Sequence, residues 1–354
     1  MTAGTRHPLR VGIAGYGIVG KRRRECCDRH PDLQVVAVCD RYFDGAGTMP
    51  DGVRHWRTYQ ELLAEDLDAL VVCMTNDIAA EVVVAAMECG LHVLCEKPPG
   101  RNMADIERVV AAERQHPDVR LMYGFNHRYH ESVQDALRIV RSGDLGRIIN
   151  MRGVYGKSKL ITFNQPDWRA KREVAGGGVL LDQGIHMVDL MRLFGGEFDE
   201  VQSVVSNGHW GYDVEDNAYA LMRSGETGVV AMINSSATQW RHQFHLDITL
   251  ERGGIVLRGI LSGSKSYGAE TMTVVVADPD RDNGDPRETL TTYVNDPSWD
   301  TEVEVWAGAI STGAPIEGGS ATDALRTMHL VHQIYWADRT WRERYAIPDP
   351  GPLP

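Results

Sequence analysis

Through the first third of the chain, short apolar runs alternate with stretches of helical periodicity. Leu9–Ala14, Gln34–Cys39, Ala69–Met74, Leu91–Cys95 and Val119–Gly124 each read as a strand that is apolar on both faces. Such strands suit a parallel sheet covered by helices on both sides, because strict alternation is needed only where one face meets water. Lys21–His30, Tyr59–Ala64, Ala79–Cys89 and Met103–Gln115 read as the intervening helices, the third closed by Gly90. This alternation predicts a doubly wound α/β domain of the Rossmann type.

Beyond His130–Ser142, a helix ending at Gly143, the pattern changes. Ile148–Tyr155, Val201–Asn207, Asn217–Arg223, Gly228–Ala237, Phe244–Glu251, Ile255–Leu261 and Thr271–Val276 read as strands, several joined by turns such as Ser224-Gly225-Glu226 and Arg252-Gly253-Gly254. Consecutive turn-linked strands predict an α+β domain with a large, mostly antiparallel open sheet. Glu302–Ser311 and Thr322–Arg344 read as closing helices, and 278–286 as a solvated loop or hairpin. The expected domains are 1–125 and 126–345, with the last helix free to pack back on the first, followed by a tail at 346–354.

The composition fits two soluble globular domains: 354 residues, 43% hydrophobic and 24% charged. A net charge of −12 argues against a nucleic-acid partner and is compatible with a cationic substrate. All six cysteines fall in the first 95 residues without a Cys/His metal spacing, so reduced buried thiols and no metal are expected. The opening residues lack an apolar core and no run approaches about 18 apolar residues, so neither signal peptide nor membrane span is expected, and the location is read as cytoplasmic.

Candidate chemistry begins at Gly15-Tyr16-Gly17-Ile18-Val19-Gly20, a G-x-G-x-x-G turn between a strand and a helix. Glycines there permit a tight turn and close approach of backbone to a pyrophosphate at the helix N-terminus. Asp40, twenty residues after the last glycine, ends the next strand. A carboxylate in that place accepts the ribose hydroxyls of NAD and repels the 2′-phosphate of NADP, although the neighbouring Arg41 could bind that phosphate or stack on adenine. NAD is therefore preferred to NADP. Thr75 and Asn76 end the next strand at the edge where ligands bind.

Glu96-Lys97-Pro98-Pro99 ends a further strand. Six of the 37 basic residues are lysines, and a lysine, unlike an arginine, can give up its proton. A plain surface ion pair is the alternative. In the second half, Gly176-Gly177-Gly178 leads into an amphipathic helix on which Asp182 and His186, four apart, share a face. A carboxylate one turn from an imidazole can hold its tautomer and raise its basicity. Asp189, a turn further, reads as structural. Lys157 and Lys159 flank the end of a strand, and Trp168 with Arg169 precedes the glycines; a tryptophan face can stack on sugar C–H groups.

Together these motifs resemble the glucose-fructose oxidoreductase/inositol dehydrogenase/MocA (Gfo/Idh/MocA) family of NAD(P)-dependent oxidoreductases. The resemblance rests on Gly15–Gly20, Asp40, Glu96-Lys97-Pro98, Gly124-Phe125-Asn126-His127-Arg128-Tyr129, and the Gly-Gly-Gly…Asp-x-Gly-x-His-x-x-Asp pattern through Asp189. It covers almost the whole chain. One departure is the loop Thr75-Asn76-Asp77-Ile78-Ala79, which is a residue shorter than the family's usual loop and lacks its histidine.

The resemblance implies a catalytic set of Lys97, Asp182 and His186. Its implied cofactor contacts are Gly15 to Gly20, Asp40, Arg41, Thr75, Asn76, Glu96, Lys97 and Asn126. The implied substrate contacts are Lys97, Arg128, Lys157, Trp168, Arg169, Asp182 and His186. The expected reaction is NAD-dependent oxidation of a secondary hydroxyl of a sugar, amino sugar, aminoglycoside or cyclitol to a ketone, or its reversal, in carbohydrate or amino-sugar biosynthesis. A nucleotide-linked sugar would need a basic diphosphate site, for which Lys157, Lys159 and Arg169 are the candidates. An NAD-dependent glycoside hydrolase and a non-catalytic sugar or cofactor sensor are the alternatives. A homodimer or homotetramer is implied by analogy.

Overall fold

The apolar runs of the first third pair as parallel strands. In the computed structural model, which describes residues 7–160, 167–278 and 284–353, they are β1 (Leu9–Ala14), β2 (Leu33–Cys39), β5 (Ala69–Val72), β6 (His92–Glu96) and β7 (Leu121–Gly124). Two short strands that hydrophobicity does not announce, β3 (Gly47–Thr48) and β4 (Arg54–Trp56), complete a sheet of order β3-β4-β2-β1-β5-β6-β7. All its pairings are parallel except β3 with β4.

Its helices are α1 (Ile18–Arg29), α2 (Tyr59–Leu63), α3 (Asn76–Glu88) and α4 (Met103–Gln115). Thr58 forms a capping box with Glu61 at the start of α2, and Asn102 accepts the Asp105 N–H at the start of α4. The sheet interior is dry: Val11, Ile13, Val38, Leu70, Val71, Val93 and Leu94 show no exposure. α3 starts three residues before the expected Ala79, because Thr75 is extended and takes the N-cap position while Asp77 falls in the first turn.

The chain forms two compact units, Met1–Asn126 with Trp299–Leu325, and His127–Ser298 with Arg326–Pro354. The second is built from α5 (Glu131–Ser142), β8 (Ile148–Gly156), α6 (Arg172–Ala175), α7 (Ile185–Gly195), β9 (Glu200–Ser206), β10 (Asn217–Arg223), β11 (Val230–Ser236), β12 (Gln243–Leu250), β13 (Gly253–Arg258), β14 (Glu270–Val276) and β15 (Arg287–Tyr293). Its eight strands run in the order β15-β14-β13-β12-β8-β11-β10-β9. Every pairing is antiparallel except β8 with β11. One face is covered by α5 and α7. Three helices close the chain: α8 (Ser298–Thr312), α9 (Ala321–Ala337) and α10 (Arg339–Tyr345).

The single helix expected over 322–344 is two, because the Asp338 side chain accepts the Trp341 N–H and starts α10 afresh. α7 is not amphipathic as expected: every residue but Leu193 is buried. The loop reading of 278–286 falls mostly on 279–283, outside the described residues. Among the described residues no helix is long and apolar enough to cross a membrane. The six cysteines are free thiols; burial pushes those of Cys26 and Cys27 up to about 11 and about 12, whereas Cys89 is exposed.

His332, on α9, gives the fold a pH dependence. It is 4% exposed, and neither ring nitrogen has a hydrogen-bond partner among the described residues. Burial, with His329 and Arg172 adding to it, pushes its pKa down to about 4. Above the ordinary value near 6.5 both folded and unfolded chains carry a neutral ring, so it contributes nothing to pH dependence there. As pH falls from 6.5 towards 4, the unfolded chain takes up a proton that the folded chain refuses, and stability drops by up to about 3 kcal/mol. Melting curves of His332→Leu should lose less stability across that window than the parent. Equal losses would show that the ring is not buried neutral.

Candidate active site

The turn between β1 and α1 is shaped for an anion. Gly15 has φ +91°, and a Cβ on it would lie 2.3 Å from the Cys73 carbonyl oxygen. A Cβ on Gly20 would lie 2.0 Å from the Gly15 carbonyl, so α1 can pack this close to the strand only with glycine there. Around Gly17, the N-cap residue, nothing lies within 4 Å of the place a Cβ would take, and the first turn of α1 carries no acidic side chain. Gly17 and Ile18 are exposed, so the N-terminal end of α1 is open to an external anion.

Asp40 follows β2 and is oriented by backbone: its Oδ2 accepts the Tyr16 N–H at 2.8 Å and its Oδ1 the Tyr42 N–H at 3.1 Å. Tyr16 stacks on Phe43 with ring centroids 6.2 Å apart. Arg41 lies over the Tyr42 ring and donates to its hydroxyl at 3.2 Å. Turn, carboxylate and open helix end fit a dinucleotide.

The same carboxyl edge carries Lys97. Register pairs Ala14 with Cys39 and with Val72, and Val72 with Cys95, so β1, β2, β5 and β6 end level. Lys97 emerges half-buried two strands from the glycine turn. Its neighbour Glu96, implied as a cofactor contact, instead turns inward. Glu96 accepts from Arg23 Nε at 2.6 Å, and Arg23 also donates to Glu302 of α8. Arg23 is fully buried in α1 and lies 4.3 Å from the Trp299 ring centroid. Burial alone would lower its pKa, but the two carboxylates more than reverse that and keep it charged. Glu96 is thus the fastener that ties the end of β6, and with it Lys97, to α1. Asn76 and Asn126 are both buried at strand ends of this sheet.

In the second unit the triple glycine is demanded by close approach. A Cβ on Gly178 would lie 2.0 Å from the Glu215 carbonyl oxygen, and one on Gly177 2.3 Å from the Tyr335 hydroxyl. Glu215 is wholly buried; its carboxylate accepts the Gly178 N–H at 2.7 Å, the Leu180 N–H at 2.9 Å and the Tyr335 hydroxyl at 2.7 Å. Burial pushes its pKa up, and the Tyr335 hydroxyl, the Gly178 N–H and the charge of Arg172 work the other way. The chain then makes a wide π-type turn over Leu180–Gly184 before α7 begins.

Asp182 sits in that π turn and His186 one residue into α7. Asp182 accepts from Lys157 Nζ at 3.0 Å and from Arg169 Nε at 3.2 Å. Lys157 and Arg169, expected to flank the site as separate substrate contacts, thus converge on one carboxylate. Arg169 also covers a face of Trp168, 4.4 Å from its centroid, and Lys159 is exposed.

Arg128 is 5% exposed and grips Asp189 with two nitrogens, at 2.7 and 2.6 Å. Those two bonds tie the turn after β7 to α7, and they spend on structure the arms that a substrate contact would use. Asp189 is the structural anchor expected.

A profile described as an oxidoreductase family with an NAD-binding Rossmann fold matches residues 9–125, and one for the GFO/IDH/MocA C-terminal domain matches 133–256. The chain belongs to the Gfo/Idh/MocA family. It is an oxidoreductase with an NAD(P)-binding Rossmann domain. D-glucoside 3-dehydrogenase of Escherichia coli (strain K12) is 30% identical over 273 residues, 70% of this chain and 76% of that protein. Myo-inositol 2-dehydrogenase of Thermotoga maritima is 28% identical over 290 residues, 78% and 80% of the two chains. A solved levoglucosan dehydrogenase in complex with NADH and levoglucosan shares the fold with a TM-score of 0.81, covering 95% of this chain and 98% of its own at 20% identity.

The structure also brings forward residues that the motifs alone pass over. Glu215 lies in Tyr212-Asp213-Val214-Glu215-Asp216, a run that carries no motif. His127 is enclosed within a familiar motif but is unremarked by any spacing rule; its ring stacks on His186 with centroids 3.8 Å apart. Tyr155 and Gln183 were equally silent.

Proposed function

We propose that the chain is an NAD-dependent dehydrogenase that oxidises a secondary hydroxyl of a sugar or cyclitol to a ketone, or runs the reverse reduction. The observation that carries this reading is the shared strand edge of the first unit. It holds an anion-shaped glycine turn, a backbone-oriented carboxylate at Asp40, and a lysine at the end of β6. The family's relatives named above work on sugar and cyclitol hydroxyls, and the Asp182–His186 pair supplies the proton acceptor such chemistry needs.

In this reading His186 takes the hydroxyl proton as general base, and the Lys97 ammonium donates a hydrogen bond to the same oxygen as its charge grows. Asp182, braced by Lys157 and Arg169, fixes the charge beside the base. The nicotinamide ring, when bound, supplies the hydride acceptor. Asp40 favours NAD, because a carboxylate after the second strand would repel a 2′-phosphate, and Arg41, the cation that could bind one, lies over Tyr42.

Lys157 and Arg169, two of the three candidates for a diphosphate site, are engaged by Asp182. That favours a free sugar, amino sugar or aminoglycoside over a nucleotide-linked one, and the net charge of −12 suits an aminated substrate. Assembly as a dimer or tetramer belongs to the same reading, supported by Val204, Tyr219, Leu221 and Met232, which stand exposed on one face of β9–β11.

The test is reduction of NAD and of NADP across a panel of sugars, amino sugars, aminoglycosides, nucleotide sugars and cyclitols. Expected is NADH formation with a free or aminated polyol and a higher kcat/KM with NAD than with NADP. Release of a free sugar from an aryl glycoside with no net NADH would replace the dehydrogenase by a hydrolase. Silence across the panel would remove the enzymatic reading of this substrate class.

A further inference from the structure

His127 opens the short turn after β7 and is 8% exposed. Its ring lies flat against His186, with planes 12° from parallel and centroids 3.8 Å apart. Its Nε2 is 3.0 Å from the Tyr155 hydroxyl. Burial holds the Tyr155 phenol well above its ordinary range, so the oxygen keeps its proton. The His127–Tyr155 hydrogen bond, with Tyr155 itself packed on Tyr267, fixes the plane of the His127 ring.

The ring is closed in by Tyr155 of β8, Phe244 of β12 edge-on at 5.9 Å, and His130 edge-on at 5.4 Å. The charged and titratable groups beyond these are Glu270 and Asp296, which face His130 at 2.9 and 3.8 Å, and Asp182 and Tyr267, which act on Tyr155. Glu270 is also taken by Ser132 at 2.6 Å and the Leu261 N–H at 2.9 Å, so its charge is spent on His130 and its own donors.

We infer that His127 is a positioning residue for His186: an imidazole plate that fixes the plane of the His186 ring and stabilises that ring once it carries a proton. An aromatic face attracts a cation stacked on it, and the imidazolium of His186 is such a cation. The catalytic side of this inference rests on the proposed base role of His186; the stacking itself does not.

The experiment titrates the His186 ring by NMR in the ligand-free parent and in His127→Leu and His127→Phe. Loss of the plate in His127→Leu should lower the pH at which His186 titrates by about half a unit or more, and His127→Phe should restore most of the difference. In the kcat/KM profile the acid limb of His127→Leu moves the same way, to lower pH, with kcat reduced more than KM is changed.

Should His127→Leu fail to fold, His127→Gln makes the same comparison, since it too lacks a ring. A folded Leu or Gln variant whose His186 titrates as in the parent overturns the inference. A shifted titration in an enzyme whose His186→Ala variant keeps its turnover upholds the plate and removes the base role instead.

Discussion

His186→Ala, and separately Lys97→Ala, should each lower turnover on the true substrate by about 10²–10⁴-fold, the range a positioned proton-transfer group supplies. Dinucleotide affinity should change little in either case. The glycine turn and Asp40 belong to β1, α1 and β2, and the bonds that shape them, Tyr16 and Tyr42 to Asp40, involve neither replaced residue. Lys97→Arg is the sharper variant. It keeps the positive charge but substitutes a planar, permanently protonated fork for a compact ammonium, so a role confined to charge would survive it and a role in hydrogen-bonding one oxygen would not. Steady-state kinetics alongside fluorescence titration with NADH separates the two quantities. Near-parental turnover in either alanine variant would remove that residue from the reaction.

What could be read from the sequence was what burial and glycine geometry make compulsory. Parallel strands covered by helices on both sides are apolar on both faces, so β1, β5, β6 and β7 stand out as runs, and a turn with Gly15 at positive φ tolerates no other residue. The α4 helix matches its predicted bounds because Asn102 caps it visibly. The polar edge strands β3 and β15 escaped. β15, Arg287–Tyr293, is polar and largely exposed along Arg-Glu-Thr-Leu-Thr-Thr, with no apolar alternation to betray it.

At the site, residue types were legible but their partners were not. Spacing placed Asp182 beside His186 on an α-helical face, whereas the chain makes a π turn there and brings Lys157 and Arg169 onto Asp182 from 25 and 13 residues away. Glu215 and His127 act through tertiary contacts that no local pattern encodes.

Arg23→Met should cost about 3–5 kcal/mol of stability at neutral pH, the usual penalty for removing one member of a buried ionic cluster. The penalty comes from what remains. Glu302 is fully buried and Glu96 nearly so, and without the guanidinium the two carboxylates face each other with no cation between them. Their pKa values in the variant must rise above those of the unfolded chain. Stability contributed by a raised carboxyl is present below the unfolded value near 4.3 and is lost as pH climbs through the folded one, so the deficit should grow from mildly acid to neutral pH.

Pairing Arg23→Met with Glu302→Leu should recover part of the loss, as coupled neighbours do in a mutant cycle. The effect also reaches function, because Glu96 holds the strand end from which Lys97 emerges. The single variant should therefore lose turnover even at temperatures where it stays folded. Denaturant melts at several pH values, with turnover measured on the folded fraction, test both halves. A flat pH dependence of the deficit would mean that Glu96 and Glu302 find other partners when Arg23 is gone, and that the anchoring of Lys97 lies elsewhere.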